Sequence, residues 1–184
     1  MKIVMNILVL VVLSYYTFHF IQVMVKMKNK MVFPSTDEEM AAIRKGPQKA
    51  LDLPHYSKQK LGIIFYSVTL LFVTSMFIAG LLQDFVWSFY LMIFVPLVHV
   101  RDLFNMFGFV EDGVLSGSRF IPWEKIKSYS FVRIDVNHRF YGHSKEVNDR
   151  YELRIKSRLG TYSCVVLTDE VKEKMERILQ ERVA

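Results

Sequence analysis

The chain has 184 residues, 52% of them hydrophobic, a net charge of +6 and a single cysteine. One cysteine excludes an intramolecular disulfide, and so large an apolar share excludes a disordered chain. The excess of positive charge flanks apolar runs, where anionic lipid accounts for it without nucleic acid.

Three apolar runs dominate, roughly Ile3–Val25, Leu61–Leu82 and Phe85–Val100. Crossing a bilayer core takes about 20 helical residues, so three transmembrane helices are expected, at about 3–25, 61–82 and 85–103. The first run ends in Lys26-Met27-Lys28-Asn29-Lys30 with no small-residue cleavage pattern, which favours a retained helix over a signal peptide. His19 is the clear ionisable residue inside a span. With no acidic partner in any span it suits helix–helix hydrogen bonding better than proton transfer. His99 falls close to an interface, and Pro96 just before it is expected to kink the third helix.

The segment 26–60 is expected to be a cytoplasmic loop. It carries eight basic residues against four acidic ones, a net +4. Within it, Ser35 to Gly46 reads as a short helix, capped by Ser35 or Thr36, with acids in its first turn, bases in its last and Gly46-Pro47 as its stop. That helix is expected on the membrane surface or on the C-terminal domain. Only Lys2 precedes the first run, and the link Gln83-Asp84 has no Lys or Arg. The positive-inside rule then puts the N-terminus outside, the 26–60 loop inside, the Gln83-Asp84 tip outside and the C-terminal domain inside. Trp87 is expected in the outer interface belt, with Tyr90 deeper, and Arg101 and Asp102 mark the inner end of the third helix.

From Phe104 the period shortens. Phe107–Val110, Val114–Ile121, Lys127–Val136, Asp149–Lys156 and Thr161–Leu167 read as strands, with Glu111-Asp112-Gly113 a turn whose glycine takes a positive φ. Tyr151, Leu153 and Ile155 share one strand face, and Cys164 alternates with apolar residues as a small buried hydrophobe. Thr168 or Asp169 caps a final helix with Val171, Met175, Ile178 and Leu179 on one side. The result is a small α+β domain at 104–184, an antiparallel curved sheet or partial barrel closed by a C-terminal helix.

The stretch Phe109 to Ile126, with Gly113 followed by Ile121-Pro122-Trp123-Glu124-Lys125-Ile126, resembles the start of bacterial pleckstrin-homology-like (PH-like) domains that follow transmembrane helices. The motif residues are Gly113, Pro122, Trp123 and Ile126. In this reading Gly113 makes the first hairpin, Pro122 ends a strand, Trp123 anchors the corner in the core and Ile126 starts the next strand. The resemblance implies a PH-like fold with a membrane-proximal binding surface and no enzyme activity. The family fold has seven strands where five or six are legible here, so one strand is sought in 137–148.

No catalytic signature accompanies this. His138, His143, Asp135 and Asp149 match no zinc spacing and read as a solvated loop. Ser116-Gly117-Ser118 is no nucleophile elbow, and Glu124 and Glu152 have no recognisable partner. Arg119, Lys125 and Lys127 cluster near the first strands, where they read as a solvated basic edge or, alternatively, as lipid-headgroup contacts. The expectation is a multi-pass cell-membrane protein whose cytoplasmic PH-like domain is a non-catalytic binding or assembly module without cofactor or metal. Its partners are the bilayer, anionic headgroups and a membrane protein or a second copy. The alternatives are an accessory subunit of a transport or secretion complex, and a membrane-surface enzyme built on His99, Asp102 and loop groups.

Overall fold

The structure is a computed structural model and describes residues 2–83, 87–100, 103–158 and 160–183. Asp84, Arg101 and Asp102, expected at helix ends, lie outside the described residues, as do the side chains of Trp87 and Tyr90. The chain divides into two units. One comprises Met1–Lys28, His55–Phe104 and Gly117–Arg119; the other comprises Asn29–Pro54, Asn105–Ser116 and Phe120–Ala184.

The first unit is helical. α1 (Lys2–Lys26), α3 (Lys60–Leu82) and α4 (Trp87–His99) pack around Val9, Val73, Phe77 and Leu97. Tyr66 stacks on Phe20 at 4.4 Å and donates its hydroxyl to the Tyr16 carbonyl at 3.1 Å. At Gly62 the backbones approach closely, since a Cβ there would stand 2.9 Å from the Leu103 carbonyl oxygen. The outer surfaces stay apolar: Ile3, Leu61, Leu71 and Leu82 are among the most exposed side chains. Thr69, Thr74 and Ser75 return their hydroxyls to carbonyls four residues back, at 2.7–2.9 Å, which satisfies them without water. His19 lies edge-on to Tyr15, ring centres 4.4 Å apart. α1 and α3 are long and apolar enough to cross a membrane. Among the described residues α4 has 13, where the third run predicts a full span.

The second unit is built of two four-stranded antiparallel sheets and a helix. β1 (Met31–Phe33), β3 (Phe107–Val110), β4 (Gly113–Ser116) and β5 (Arg119–Pro122) form the first sheet, in that order. β2 (Ile43–Arg44), β8 (Gly160–Val166), β7 (Tyr151–Ser157) and β6 (Ile126–Arg133) form the second. Their inner faces share one core: Phe33, Phe107, Phe109 and Ile121 from one sheet, Ile43, Leu153, Ile155, Cys164 and Val166 from the other. α5 (Asp169–Arg182) covers this core with Val171, Met175 and Leu179, its N-terminus capped by Thr168 as predicted. Among the described residues the two sheets do not close into a barrel.

Residues 29–54, expected as a loop with one short helix, instead supply two of the strands. The helix, α2 (Asp37–Ala41), is capped by Thr36 but ends far short of Gly46. The Ala42 carbonyl accepts from Leu167 N–H at 2.8 Å, and Ile43 leaves the helix to pair with Val166. Burying the β-branched Ile43 completely in the sheet outweighs one more helical turn. On the other side Met31 and Phe33 pair with Val110 and Phe109. The Glu39 carboxylate accepts from Ser35 N–H at 2.7 Å and pairs with Lys174 of α5. The segment ends where the chain returns: Asp52 N–H donates to the Asn105 carbonyl at 2.9 Å, and the Asn105 amide donates to the Ala50 carbonyl at 2.7 Å. No strand forms within 137–148; the strands beyond the six of the C-terminal segment come from β1 and β2.

Gly113, expected to supply a positive φ, does not; the positive-φ glycine nearby is Gly117, at +56° in the next hairpin. Gly113 is needed because a Cβ would press on the Ile121 carbonyl oxygen and stand 2.7 and 2.8 Å from two Phe120 ring carbons. Pro122 ends β5, and Ile126 starts β6 in the core, as predicted. Trp123 is only half-buried: it opens a 3-10 turn, lies edge-on to Phe109 at 5.6 Å and donates its indole N–H to the Glu111 carbonyl at 3.1 Å.

Candidate functional site

Antiparallel register sorts the second sheet into two faces. Leu153 and Ile155 of β7, with Cys164 and Tyr162 of β8, point to the core. Glu152, Arg154 and Lys156 therefore take the outer face, beside Val165, Ser163 and Thr161. On the other flank β6 sets Val132, Ser130 and Ser128 opposite the same three residues. The outer face thus carries two rows across three strands, Ser130–Arg154–Ser163 and Ser128–Lys156–Thr161. Arg139, Glu152, Arg154, Lys156, Thr161 and Ser163 line an open groove there.

One end of the face is covered by residues 134–150. Ile134 and Asp149–Arg150 close the base of this segment through Ile134 N–H to the Arg150 carbonyl (2.7 Å) and Asp149 N–H to the Ile134 carbonyl (2.9 Å). Ile134 and Val147 pack on Val165, with Phe140 and Leu167 beside them. Asp135, His143 and Asp149 are exposed, as expected of a solvated loop, but the side chain of His138 is only 5% exposed.

His138 meets Glu152, whose side chain is fully buried. The carboxylate accepts from Arg139 at 2.6 Å, from Arg154 at 2.6 Å and from His138 Nε2 at 2.9 Å. His138 Nδ1 accepts the Phe140 backbone N–H at 3.1 Å, and Nε2 stands 2.9 Å from the Glu152 carboxylate and 3.1 Å from Arg154 Nη2. Burial pushes the Glu152 carboxyl up, but the hydrogen bonds from Arg139, Arg154, His138 and Ser163 outweigh it and hold it below its ordinary value of 4.5. Glu39 is held low in the same way, burial being overcome by Lys174 and Ser35. Burial pushes the Cys164 thiol far up, which suits a packing residue rather than a nucleophile.

The low carboxyl values set an acid limit. A glutamate with a depressed folded pKa adds stability above its unfolded value and loses it as pH falls through the folded one. Hydrogen-exchange protection of the β7 and β8 amides should therefore fall steeply below about pH 4.5. In Glu152→Gln the protection should start lower and vary less with pH over that window. Equal pH slopes for the two chains would refute a charged Glu152 at the centre of the cluster.

Of the residues singled out from sequence, Lys125 and Lys127 are exposed, Lys127 where the β6–β7 register shifts. Arg119 is half-buried and groups with the helical unit. His143, Asp135 and Asp149 do not join His138; among the described residues no three metal-ligating side chains converge. Glu152, read from sequence as unpartnered, is met by Arg139, Arg154, His138 and Ser163. The period-2 pattern of Tyr151–Lys156 places Glu152, Arg154 and Lys156 on one face, yet nothing local links them to His138 and Arg139.

A protein-family model described as a domain of unknown function (DUF5673) matches residues 105–184. No curated protein and no solved structure matches the chain. The matched stretch contains β3 to β8 and α5, and leaves out the two strands and α2 contributed by residues 29–54.

Proposed function

We propose that this is a multi-pass cell-membrane protein with three crossings, whose cytoplasmic unit is a PH-like binding or assembly module at the inner surface. One observation carries the topology. Residues 29–54 and 105–184 share sheets and a core, so they lie on the same side of any membrane. The chain between them must then cross an even number of times. If α3 crosses, the run beginning near α4 must cross back, although α4 itself spans only 13 residues. The apolar outer surfaces and internally satisfied hydroxyls of the helices support a lipid environment.

Orientation rests on charge. Lys26, Lys28, Lys30, Lys58 and Lys60 flank the inner ends of α1 and α3, and exposed Lys125 and Lys127 are further candidates for headgroup contact. The role is binding rather than catalysis, with anionic lipid and a membrane protein or second copy as partners. A PH-like assignment draws on the antiparallel strands, the Pro122-Trp123 corner and the terminal helix over the core.

A reporter active only in the cytoplasm should work when fused after residue 184 and fail when inserted between residues 83 and 84. Activity at both positions would mean that the hairpin does not cross. Activity at the second alone would reverse the orientation.

A further inference from the structure

We propose that the groove on the outer face of β6–β7–β8 binds a phosphate group, through Arg139, Arg154, Lys156 and Thr161. The inference does not depend on membrane orientation or on a PH-like assignment. It starts from the charge count in the groove. Arg139, Arg154 and Lys156 bring three positive charges, and Glu152 brings the one carboxylate among the lining residues. Glu152 is fully buried and engaged by both guanidiniums, so the groove keeps a net positive charge toward solvent.

Glu152 acts as a positioning residue. It holds Arg154 from beneath at 2.6 Å and Arg139 from the side at 2.6 Å, while His138 fixes the carboxylate from the covered end. A guanidinium has five donors, and the bonds to Glu152 leave others for a ligand. Pre-orienting two arginines is what bidentate phosphate recognition requires, since little side-chain entropy is left to lose on binding. The register adds hydroxyls: Ser130 beside Arg154, and Ser128 and Thr161 beside Lys156. Directly paired residues stand about 5 Å apart at Cβ, a spacing one phosphate can bridge. No carboxylate besides Glu152 lines the groove to repel the anion.

The phosphate has two sources, a soluble phosphomonoester or a lipid headgroup, and the test separates them. Full-length protein in phosphatidylcholine nanodiscs is titrated with glycerol 3-phosphate, and with acetate at equal ionic strength as control. The parallel arm uses nanodiscs containing phosphatidic acid, with protection of the β7 and β8 amides from hydrogen exchange as readout. Saturable binding in the first arm, or protection in the second, is expected; the arm that responds names the source. Lys156→Gln should weaken the response about tenfold and Lys156→Glu should abolish it, because this exposed residue is absent from the Glu152 cluster. Lys125→Ala/Lys127→Ala should leave the binding of glycerol 3-phosphate in the first arm unchanged. Unaltered helix content and amide protection in ligand-free Lys156→Glu show that the fold persists. The proposal is overturned if neither arm responds, if acetate matches glycerol 3-phosphate, or if Lys156→Glu binds as well as the parent chain.

Discussion

Residues 105–184 expressed alone should show no cooperative unfolding transition. A chain joining 29–54 to 105–184 through a short glycine-serine linker should show one. The fragment loses Phe33 and Ile43, both fully buried, and Leu51, 6% exposed. Each large apolar side chain is worth about 1.5–3 kcal/mol on burial, so these three account for several kcal/mol. A domain of this size has a net stability of only about 5–15 kcal/mol. The fragment also opens the backbone edges of β3 and β8 that β1 and β2 cover. The linker is short because Asp52 and Asn105 are already hydrogen-bonded. Urea titration followed by circular dichroism distinguishes the two chains. A cooperative transition in 105–184 alone, of the same midpoint as the joined chain, would remove residues 29–54 from the core.

Gly113→Ala should cost the sheet unit about 3 kcal/mol, at the upper end of what overpacking usually exacts. The new methyl meets the Ile121 carbonyl oxygen, a backbone atom held in β5, and the Phe120 ring besides. Neither yields without moving the hairpin. Gly46→Ala is the matched control: nothing stands within 4 Å of its Cβ position, and its change should stay within about 0.5 kcal/mol. Equal unfolding midpoints for the two variants would show that β4 and β5 can separate at no cost.

The helices, the final amphipathic helix and most C-terminal strands are legible because each writes its own period: long apolar runs, the Val171–Met175–Leu179 stripe, the Leu153–Ile155 alternation. β1 and β2 are not, because three and two residues are too few to show alternation. They are strands only because β3 and β8 present open edges to them. Gly113 was legible as a required glycine but not for its reason, since a close approach by Ile121 is a tertiary event. The groove was half legible. Arg154 and Lys156 follow from the strand period, whereas His138 and Arg139 reach Glu152 only through the fold of an irregular segment.

The return of the chain at Asn105 to the point it left at Asp52 also fixes an order of events. Met31 and Ile43 pair with Val110 and Val166, far along the chain, and closing such loops costs entropy that grows with their length. The helical hairpin removes most of that cost, because it brings Leu103 against Gly62 and so shortens the effective loop. During synthesis β1 and β2 leave the ribosome roughly ten seconds before β8, at the usual rate of elongation. For that interval Phe33 and Ile43 are exposed, guarded by the charges of Asp37, Glu38 and Glu39 between them. Assembly of the sheets is then expected to follow assembly of the helices. A lesion that crowds Gly62 would slow the appearance of the sheet unit without weakening it once formed.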